Sequence, residues 1–190
     1  MKAYHHKKAA QLINYFADYN GGAINKMKAF KLIWLANRLH LRKYARTITG
    51  DVHYAMSWGP VPSNTKELIE SKVSVSSTEK HYFDQYLILD GHLIRSVEAV
   101  NAKVFSETDL EVADEILKHY NSLDQFELVN YSHYFPEWKR FQEKIEQSGS
   151  SYKMNLSDFF ENYIDEKGLF NDSQEDLSLT KEIYFETANS

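Results

Sequence analysis

The chain has 190 residues, of which 43% are hydrophobic and 14% are aromatic, and this apolar content excludes a wholly disordered protein. It has no cysteine, which excludes disulfides and thiolate-bound metal sites and fits a reducing cytoplasm. No apolar run approaches the roughly 18 residues of a membrane helix, and the basic N terminus is not followed by a signal-peptide pattern. We therefore expect a cytoplasmic protein with no membrane association.

The net charge of −5 is distributed unevenly along the chain. Residues 1–50 contain ten Lys or Arg and one acid, whereas residues 157–190 contain nine acids and two lysines. A basic first third can attract nucleic acid or an acidic partner. We favour the simpler interpretation, in which these basic side chains form the solvated faces of two helices and pair with the acidic remainder of the chain.

The first 44 residues predict two helices. Apolar residues recur at helical spacing from Ala3 to Tyr19, and Asn20-Gly21-Gly22 ends that segment. Asn25 can cap a second helix over residues 26–44. This second helix is apolar on most of its sides, which is typical of a buried central helix.

An aromatic strand is predicted after the second helix. Tyr54, Met56 and Trp58 alternate along the sequence, so all three can face one side of an extended strand. Gly59-Pro60 then forces a turn, because proline fixes its own φ and keeps the preceding residue out of the helical region. A short helix over residues 64–72 is expected to follow.

A β-hairpin is predicted over residues 86–97. Its signal is Asp90-Gly91, a two-residue turn between two β-prone runs. Since a lone hairpin is marginally stable, we expect it to pair with the Tyr54–Trp58 strand or to pack on a helix. The polar, serine-rich segment before it, residues 72–80, predicts a loop.

The second half of the chain predicts further helices. Ser106 caps one that runs to Asn121, and the spacing of Asp124 and Glu127 is that of a capping box. A turn of helix can start at Pro136. Residues 147–151 predict a linker, and residues 157–166 predict a last helix.

These elements predict an α+β fold that is predominantly helical. About six helices surround a buried central helix, and a strand plus a hairpin form a small antiparallel sheet. We place one domain over residues 1–147 and a variable acidic extension over residues 148–190.

Two interpretations of the aromatic strand remain open. Tyr54, Met56 and Trp58 either pack on the central helix or form an exposed anchor surface, since Tyr, Trp and Met are enriched at protein interfaces. The acidic tail likewise either docks on the domain or contacts a partner. The candidate partner-binding residues are Tyr54, Met56, Trp58, Val61, Tyr184 and Phe185.

The sequence offers little catalytic chemistry. It has no glycine-rich phosphate loop, no G-x-S-x-G motif and no thiol nucleophile. Asp51 and His53 can share one face of an extended segment and hold a metal or orient a base, but no third ligand is near them in sequence. We expect a non-enzyme with no metal and no cofactor, and a hydrolase based on this pair is the alternative.

DNA binding by this domain alone is disfavoured. A helix-turn-helix motif needs a second helix that exposes polar residues to the major groove. The second helix here is too apolar for that role. A DNA-binding regulator that uses the basic helices is therefore a minor alternative.

The chain resembles the Panacea domain, also called SocA-like, of bacterial and phage antitoxins. The matching features are a lysine-rich apolar helix, a Thr-Gly-Asp motif, and a strand that leads to Gly-Pro-Val-Pro; here they are residues 28–36, Thr49-Gly50-Asp51, and Tyr54 to Pro62. The resemblance continues through Leu110–Tyr120, Ser132-His133, Pro136 and Trp138, and covers about residues 5–145. The chain departs from the family pattern at Trp34 and Asn37, where a tyrosine and an acidic residue are expected.

The resemblance implies a function. Proteins of this family neutralise a toxin encoded beside them, mostly by direct binding, and the family has no accepted catalytic residues. It implies an antitoxin of a type II toxin–antitoxin system whose partner is the cognate toxin. The alternatives are a proteolytic adaptor that delivers the toxin to a protease and a phage-associated regulatory protein.

Overall fold

The structure, a computed structural model, describes residues 4–163 and 168–188. Within these residues there are nine α-helices and two short 3-10 helices, the latter over Ala102–Val104 and Leu156–Phe160. The α-helices are α1 His6–Tyr19, α2 Lys26–Tyr44, α3 Ser63–Ile69, α4 Ser77–Tyr86, α5 Glu107–Tyr120, α6 Gln125–Ser132, α7 Pro136–Lys139, α8 Gln142–Ser148 and α9 Gln174–Ala188. Six strands form two three-stranded antiparallel sheets, and they are β1 Ala23–Asn25, β2 His53–Met56, β3 Gly59–Pro62, β4 Leu87–Asp90, β5 Leu93–Ser96 and β6 Tyr152–Lys153.

The predicted fold class, a predominantly helical α+β domain, is confirmed. The predicted number of helices was too low for the described residues, and the single small sheet is in fact two sheets. None of the helices in the part of the chain that the structure describes is long and apolar enough to cross a membrane.

Helix α2 is the centre of the core and has the predicted bounds. The Asn25 side chain accepts hydrogen bonds from the backbone N–H groups of Met27 and Lys28, which leaves two fewer orphan donors at the helix start. Every residue of α2 from Ala29 to Arg42 is buried. A helix that is buried on all sides must find partners for its charged residues within the core.

The predicted pairing of the basic first third with the acidic remainder is confirmed for several side chains. Lys8 and Arg46 both pair with the buried carboxylate of Asp109 on α5. Arg42 of α2 pairs with Asp172, with 2.6 Å between Nη2 and Oδ2. Arg38 of α2 pairs with Glu137, with 2.8 Å between Nε and Oε1, whereas Lys31 is buried and does not lie on a solvated face as predicted.

The hairpin of β4 and β5 is confirmed, but its partner was predicted wrongly. The register pairs Asp90 with Leu93, so Gly91 and His92 form the turn rather than Asp90 and Gly91. Strand β5 pairs with β1, the short strand that precedes α2, and not with the Tyr54 strand. The apolar face of the hairpin is buried through Leu87 and Ile94.

The predicted aromatic strand is the first half of a second hairpin. Strand β2 covers residues 53–56, and the chain returns as β3 after a turn at Ser57 and Trp58. The turn was predicted at Gly59-Pro60, but both residues pair with β2 as part of β3, an edge strand in which the missing N–H of proline is tolerated. Strand β6 pairs with the other side of β2, within the segment beyond residue 147.

Helix α4 is absent from the sequence-based prediction, whose loop over residues 72–80 overlaps the start of this helix. Ser76 and Glu79 form a reciprocal capping box at its start, and Phe83 is its one buried residue. Helix α8 occupies residues 142–148 and ends at Gly149, inside the predicted linker. Helix α1 begins at His6, and Ala3, the predicted first residue, lies outside the described residues.

The extension packs onto the core. Phe159 and Phe170 are fully buried, and Leu177 of α9 is 3% exposed. The guanidinium of Arg42 donates hydrogen bonds to the backbone carbonyls of Phe159 and Phe170. The predicted helix over residues 157–166 is a 3-10 helix over residues 156–160, and its last part, residues 164–166, lies outside the described residues.

Candidate functional site

The segment after α2 is fixed by side chains of α2 and α3. Asn37 accepts a hydrogen bond from the backbone N–H of Thr49 at 3.0 Å and donates one to Thr49 Oγ1 at 2.9 Å. The Asp51 carboxylate accepts from the backbone N–H groups of Asn64 and Thr65, at 2.8 and 2.9 Å, and from Thr65 Oγ1 at 2.6 Å. The Thr-Gly-Asp motif therefore joins the central helix to the start of α3.

Asp51 and His53 are both buried and are in contact with neighbouring residues. The Asp51 carboxylate is occupied by α3, and burial raises its pKa to about 6 against these hydrogen bonds. His53 is 1% exposed, its ring packs edge-on against Phe159, and burial lowers its pKa to about 3. Among residues 4–163 and 168–188, no three His, Asp or Glu side chains are grouped as metal ligands.

The backbone of the β2–β3 hairpin lies against side chains of α2 and α6. Lys31 of α2 donates a hydrogen bond from Nζ to the Pro60 carbonyl at 2.8 Å. Gly59 has φ +88°, and a Cβ there would lie 2.2 Å from Ser132 Oγ and 2.8 Å from Lys31 Nζ. Only glycine fits this approach, because it has neither the side chain that would clash nor the steric penalty at positive φ.

Lys31 is a buried cation without a counter-charge. It is 1% exposed, and no carboxylate in the described ranges forms an ion pair with it. Burial lowers the pKa of Lys31 to about 7. The Pro60 carbonyl is its hydrogen-bond acceptor, so the side chain fixes the position of the hairpin.

A second contact holds the other strand of the hairpin. The indole of Trp138 donates from Nε1 to the Met56 carbonyl at 2.9 Å. The His133 ring stacks on Trp138 with centroids 3.8 Å apart. Burial lowers the pKa of His133, and the charge of Lys31 lowers it further, so this stack contains a neutral imidazole near pH 7.

Two exposed aromatic residues meet beside this rigid hairpin. Trp58 lies in the turn between β2 and β3 and is 57% exposed, and Phe126 in the first turn of α6 is 53% exposed. Their ring centroids are 6.4 Å apart with a tilt of 56°. We call these two side chains the Trp58–Phe126 surface.

The backbone that carries each ring of the Trp58–Phe126 surface is fixed by hydrogen bonds. The Asp124 carboxylate accepts hydrogen bonds from the backbone N–H groups of Phe126 and Glu127, at 2.7 and 2.8 Å, and fixes the start of α6. On the other side, Lys31 and Trp138 hold the hairpin that carries Trp58. A partner can cover an exposed apolar pair on a fixed backbone with little loss of conformational freedom.

The six predicted partner-binding residues occupy different places. Tyr54 and Met56 are half-buried, on the opposite face of β2 from the buried His53 and Ala55, and Trp58 is exposed at the end of the hairpin. Val61 is only 6% exposed and belongs to the core. The two tail residues lie on α9, where Tyr184 contacts Phe160 and Phe185 is 42% exposed.

Phe126 was not among the predicted site residues. The capping box of Asp124 and Glu127 places Phe126 in the first turn of α6. An apolar residue at that position was the signal that the sequence offered. Its neighbour Trp58 is distant in sequence. Only the tertiary structure shows that the two rings meet.

The chain matches the model of a known protein family. A family model described as antitoxin SocA-like, Panacea domain, matches residues 30–139, which is more than half of the chain. No curated protein and no solved structure matches. The matched segment includes the hairpin and both rings of the Trp58–Phe126 surface, and it ends before β6 and α9.

Proposed function

Because the chain belongs to the SocA-like antitoxin family, whose model is the Panacea domain, we propose that it neutralises a cognate toxin by direct protein–protein binding. In this proposal it is the antitoxin of a type II toxin–antitoxin system, and the toxin is the product of a neighbouring gene. The antitoxin covers the active surface of the toxin sterically and contributes no catalytic group.

The observation that carries the proposal is the Trp58–Phe126 surface. Tryptophan is among the residues most enriched at the energetic centres of protein interfaces. Both rings are a little over half exposed, and fully burying a large apolar side chain is worth about 1.5–3 kcal/mol, so a partner that covers the pair gains on the order of 2–3 kcal/mol. That contribution corresponds to a factor of roughly 30–150 in affinity.

The rigidity of the hairpin supports the same function. The backbone around Trp58 is fixed by Lys31, Trp138 and the close approach of Gly59 to Ser132. A surface that is already ordered loses less conformational entropy when a partner binds. The uneven charge distribution of the chain then affects the rate and orientation of association more than the affinity.

A growth experiment tests the proposal. The neighbouring open reading frame is expressed from an inducible promoter with the wild-type chain, with Trp58→Ala/Phe126→Ala, or alone. We expect growth arrest with the neighbour alone, rescue by the wild type, and loss of rescue by the double variant. Ile88→Ala is the matched control, because Ile88 is 52% exposed on the other sheet, and we expect it to rescue fully.

Two outcomes contradict the proposal. One is normal growth when the neighbouring gene is expressed alone. The other is full rescue by the double variant at equal protein level, since the rings would then play no part in neutralisation.

A proteolytic adaptor is the second candidate function, and α9 is the feature that favours it. This helix docks through Leu177 while Leu179, Ile183 and Phe185 are 60%, 44% and 42% exposed, so it presents apolar residues on an acidic helix. Ala substitution of these three exposed residues should preserve toxin binding but stop toxin degradation, as followed by immunoblot after protein synthesis is blocked. A toxin level that is the same with and without the wild-type chain would exclude the adaptor role.

A further inference from the structure

A cavity of about 580 Å³ lies on a different part of the domain from the Trp58–Phe126 surface. Its wall is built from the start of α1, the segment between α2 and β2, strand β6 and helix α9. Small-molecule sites in proteins have volumes of about 300–1,000 Å³, so the cavity is large enough for an organic ligand. The part of the wall between α2 and β2 lies within the family match, whereas the parts from α1, β6 and α9 lie outside it.

The walls combine apolar and aromatic surface. Ile48, Met154 and Leu156 supply aliphatic side chains, and Tyr184 of α9 supplies an aromatic ring. A mostly apolar lining with a few polar groups is typical of ligand sites.

The charge of the lining is positive. Lys8, Arg46 and Lys153 line the cavity, and Asp51, the one acid among the described lining residues, is bound by the backbone N–H groups of α3. Lys8 and Arg46 are partly neutralised by Asp109. Lys153 is exposed at the cavity rim and forms no ion pair with any residue in the described ranges, so its ammonium is free to meet an anion.

His53 is a buried polar residue of the lining. Its Nε2 lies 3.4 Å from Asn37 Nδ2, and burial lowers its pKa against a hydrogen bond with the Asp51 backbone, which raises it. The His53 ring is therefore a fixed part of the wall.

We propose that this cavity is a binding site for a small aryl anion. The aromatic body occupies the space between the aliphatic wall and Tyr184, and the anionic head lies toward Lys153. Because α9 forms one wall, a bound ligand also stabilises the docking of the C-terminal extension. The site is independent of toxin binding at the Trp58–Phe126 surface.

Isothermal titration calorimetry of the full chain with 1-naphthyl phosphate tests this proposal. We expect saturable one-to-one binding with a Kd below ~1 mM. Two comparison probes separate the contribution of the charge from that of the aromatic body: 1-naphthol lacks the charge, and inorganic phosphate lacks the aromatic body. We expect each of them to bind at least about tenfold more weakly than 1-naphthyl phosphate.

Variants locate the site. Lys153→Glu should weaken 1-naphthyl phosphate binding at least about tenfold, because it replaces attraction by repulsion. Thr187→Trp should abolish binding by filling the cavity from α9. Lys118→Glu is the matched control, because Lys118 is an exposed lysine on α5 outside the lining, and we expect unchanged affinity. Circular dichroism confirms that each variant is folded before titration.

Three results would overturn the proposal. They are an absence of saturable 1-naphthyl phosphate binding by the wild type, equal affinity for 1-naphthol and 1-naphthyl phosphate, and unchanged affinity in folded Lys153→Glu.

Discussion

Replacing Gly59 by alanine tests the tight packing that fixes the hairpin next to the Trp58–Phe126 surface. At φ +88° an L-residue costs about 1–2 kcal/mol relative to glycine. The added Cβ would also lie 2.2 Å from Ser132 Oγ and 2.8 Å from Lys31 Nζ, and forcing an extra group into a packed site costs about 1–3 kcal/mol. Gly59→Ala should therefore lower the free energy of unfolding by about 2–5 kcal/mol.

Gly91→Ala is the matched control for the backbone contribution. Gly91 has φ +59° in the β4–β5 turn, and a Cβ there would meet no atom within 4 Å. It should cost only the conformational penalty of about 1–2 kcal/mol. Urea denaturation of the full chain, followed by circular dichroism, measures both changes.

A double-mutant cycle isolates the contact with Ser132. Ser132→Ala removes the oxygen that the new Cβ would meet, so Gly59→Ala should cost less in that background than in the wild type. Equal losses for Gly59→Ala and Gly91→Ala, together with strict additivity in the cycle, would refute the reasoning about close approach.

Two further predictions concern buried groups. The pKa of Lys31 is about 7 in the folded chain and about 10.5 in the unfolded chain, so the unfolded chain binds more protons between these values. As the pH rises from 7 to 9, the free energy of unfolding of the wild type should increase relative to that of Lys31→Met by up to about 1.4 kcal/mol per pH unit. A difference between the two proteins that stays the same across this pH range in chemical denaturation would contradict the assignment. On α9, Leu177→Ala should cost about 2–4 kcal/mol because Leu177 is 3% exposed, whereas Leu179→Ala, at 60% exposed, should cost less than about 0.5 kcal/mol. Equal losses in chemical denaturation would show that α9 is not docked through Leu177.

Elements with strong local signals were predictable from the sequence. The bounds of α2 follow from the Asn25 cap and a segment that is apolar on most sides, and the start of α6 follows from its Asp124 capping box. Helix α4 was missed because it buries only Phe83 and has a polar sequence. Strand β3 was missed because Pro60 and Pro62 are unfavourable in any strand except an edge strand, and sequence does not show which strands are at an edge.

The candidate site was less predictable because its parts are far apart in sequence. Trp58 was identified from the aromatic alternation of its segment, but its contact with Phe126 depends on how α6 packs against the hairpin. The role of Lys31 could not be predicted for the same reason. Lysine is normally exposed, and its hydrogen-bond acceptor is the backbone carbonyl of Pro60, which a pattern of residue types does not identify. Val61, which was chosen for its motif, is only 6% exposed and packs in the core.

Direct measurement of binding between the purified chain and the protein encoded by the neighbouring gene tests the central claim, that the Trp58–Phe126 surface captures a toxin. Biolayer interferometry should detect a stable complex with the wild type, and affinity should fall at least about 30-fold in Trp58→Ala/Phe126→Ala while the melting temperature stays within a few degrees. Wild-type affinity in the folded double variant, or no complex with the wild type, would contradict the claim.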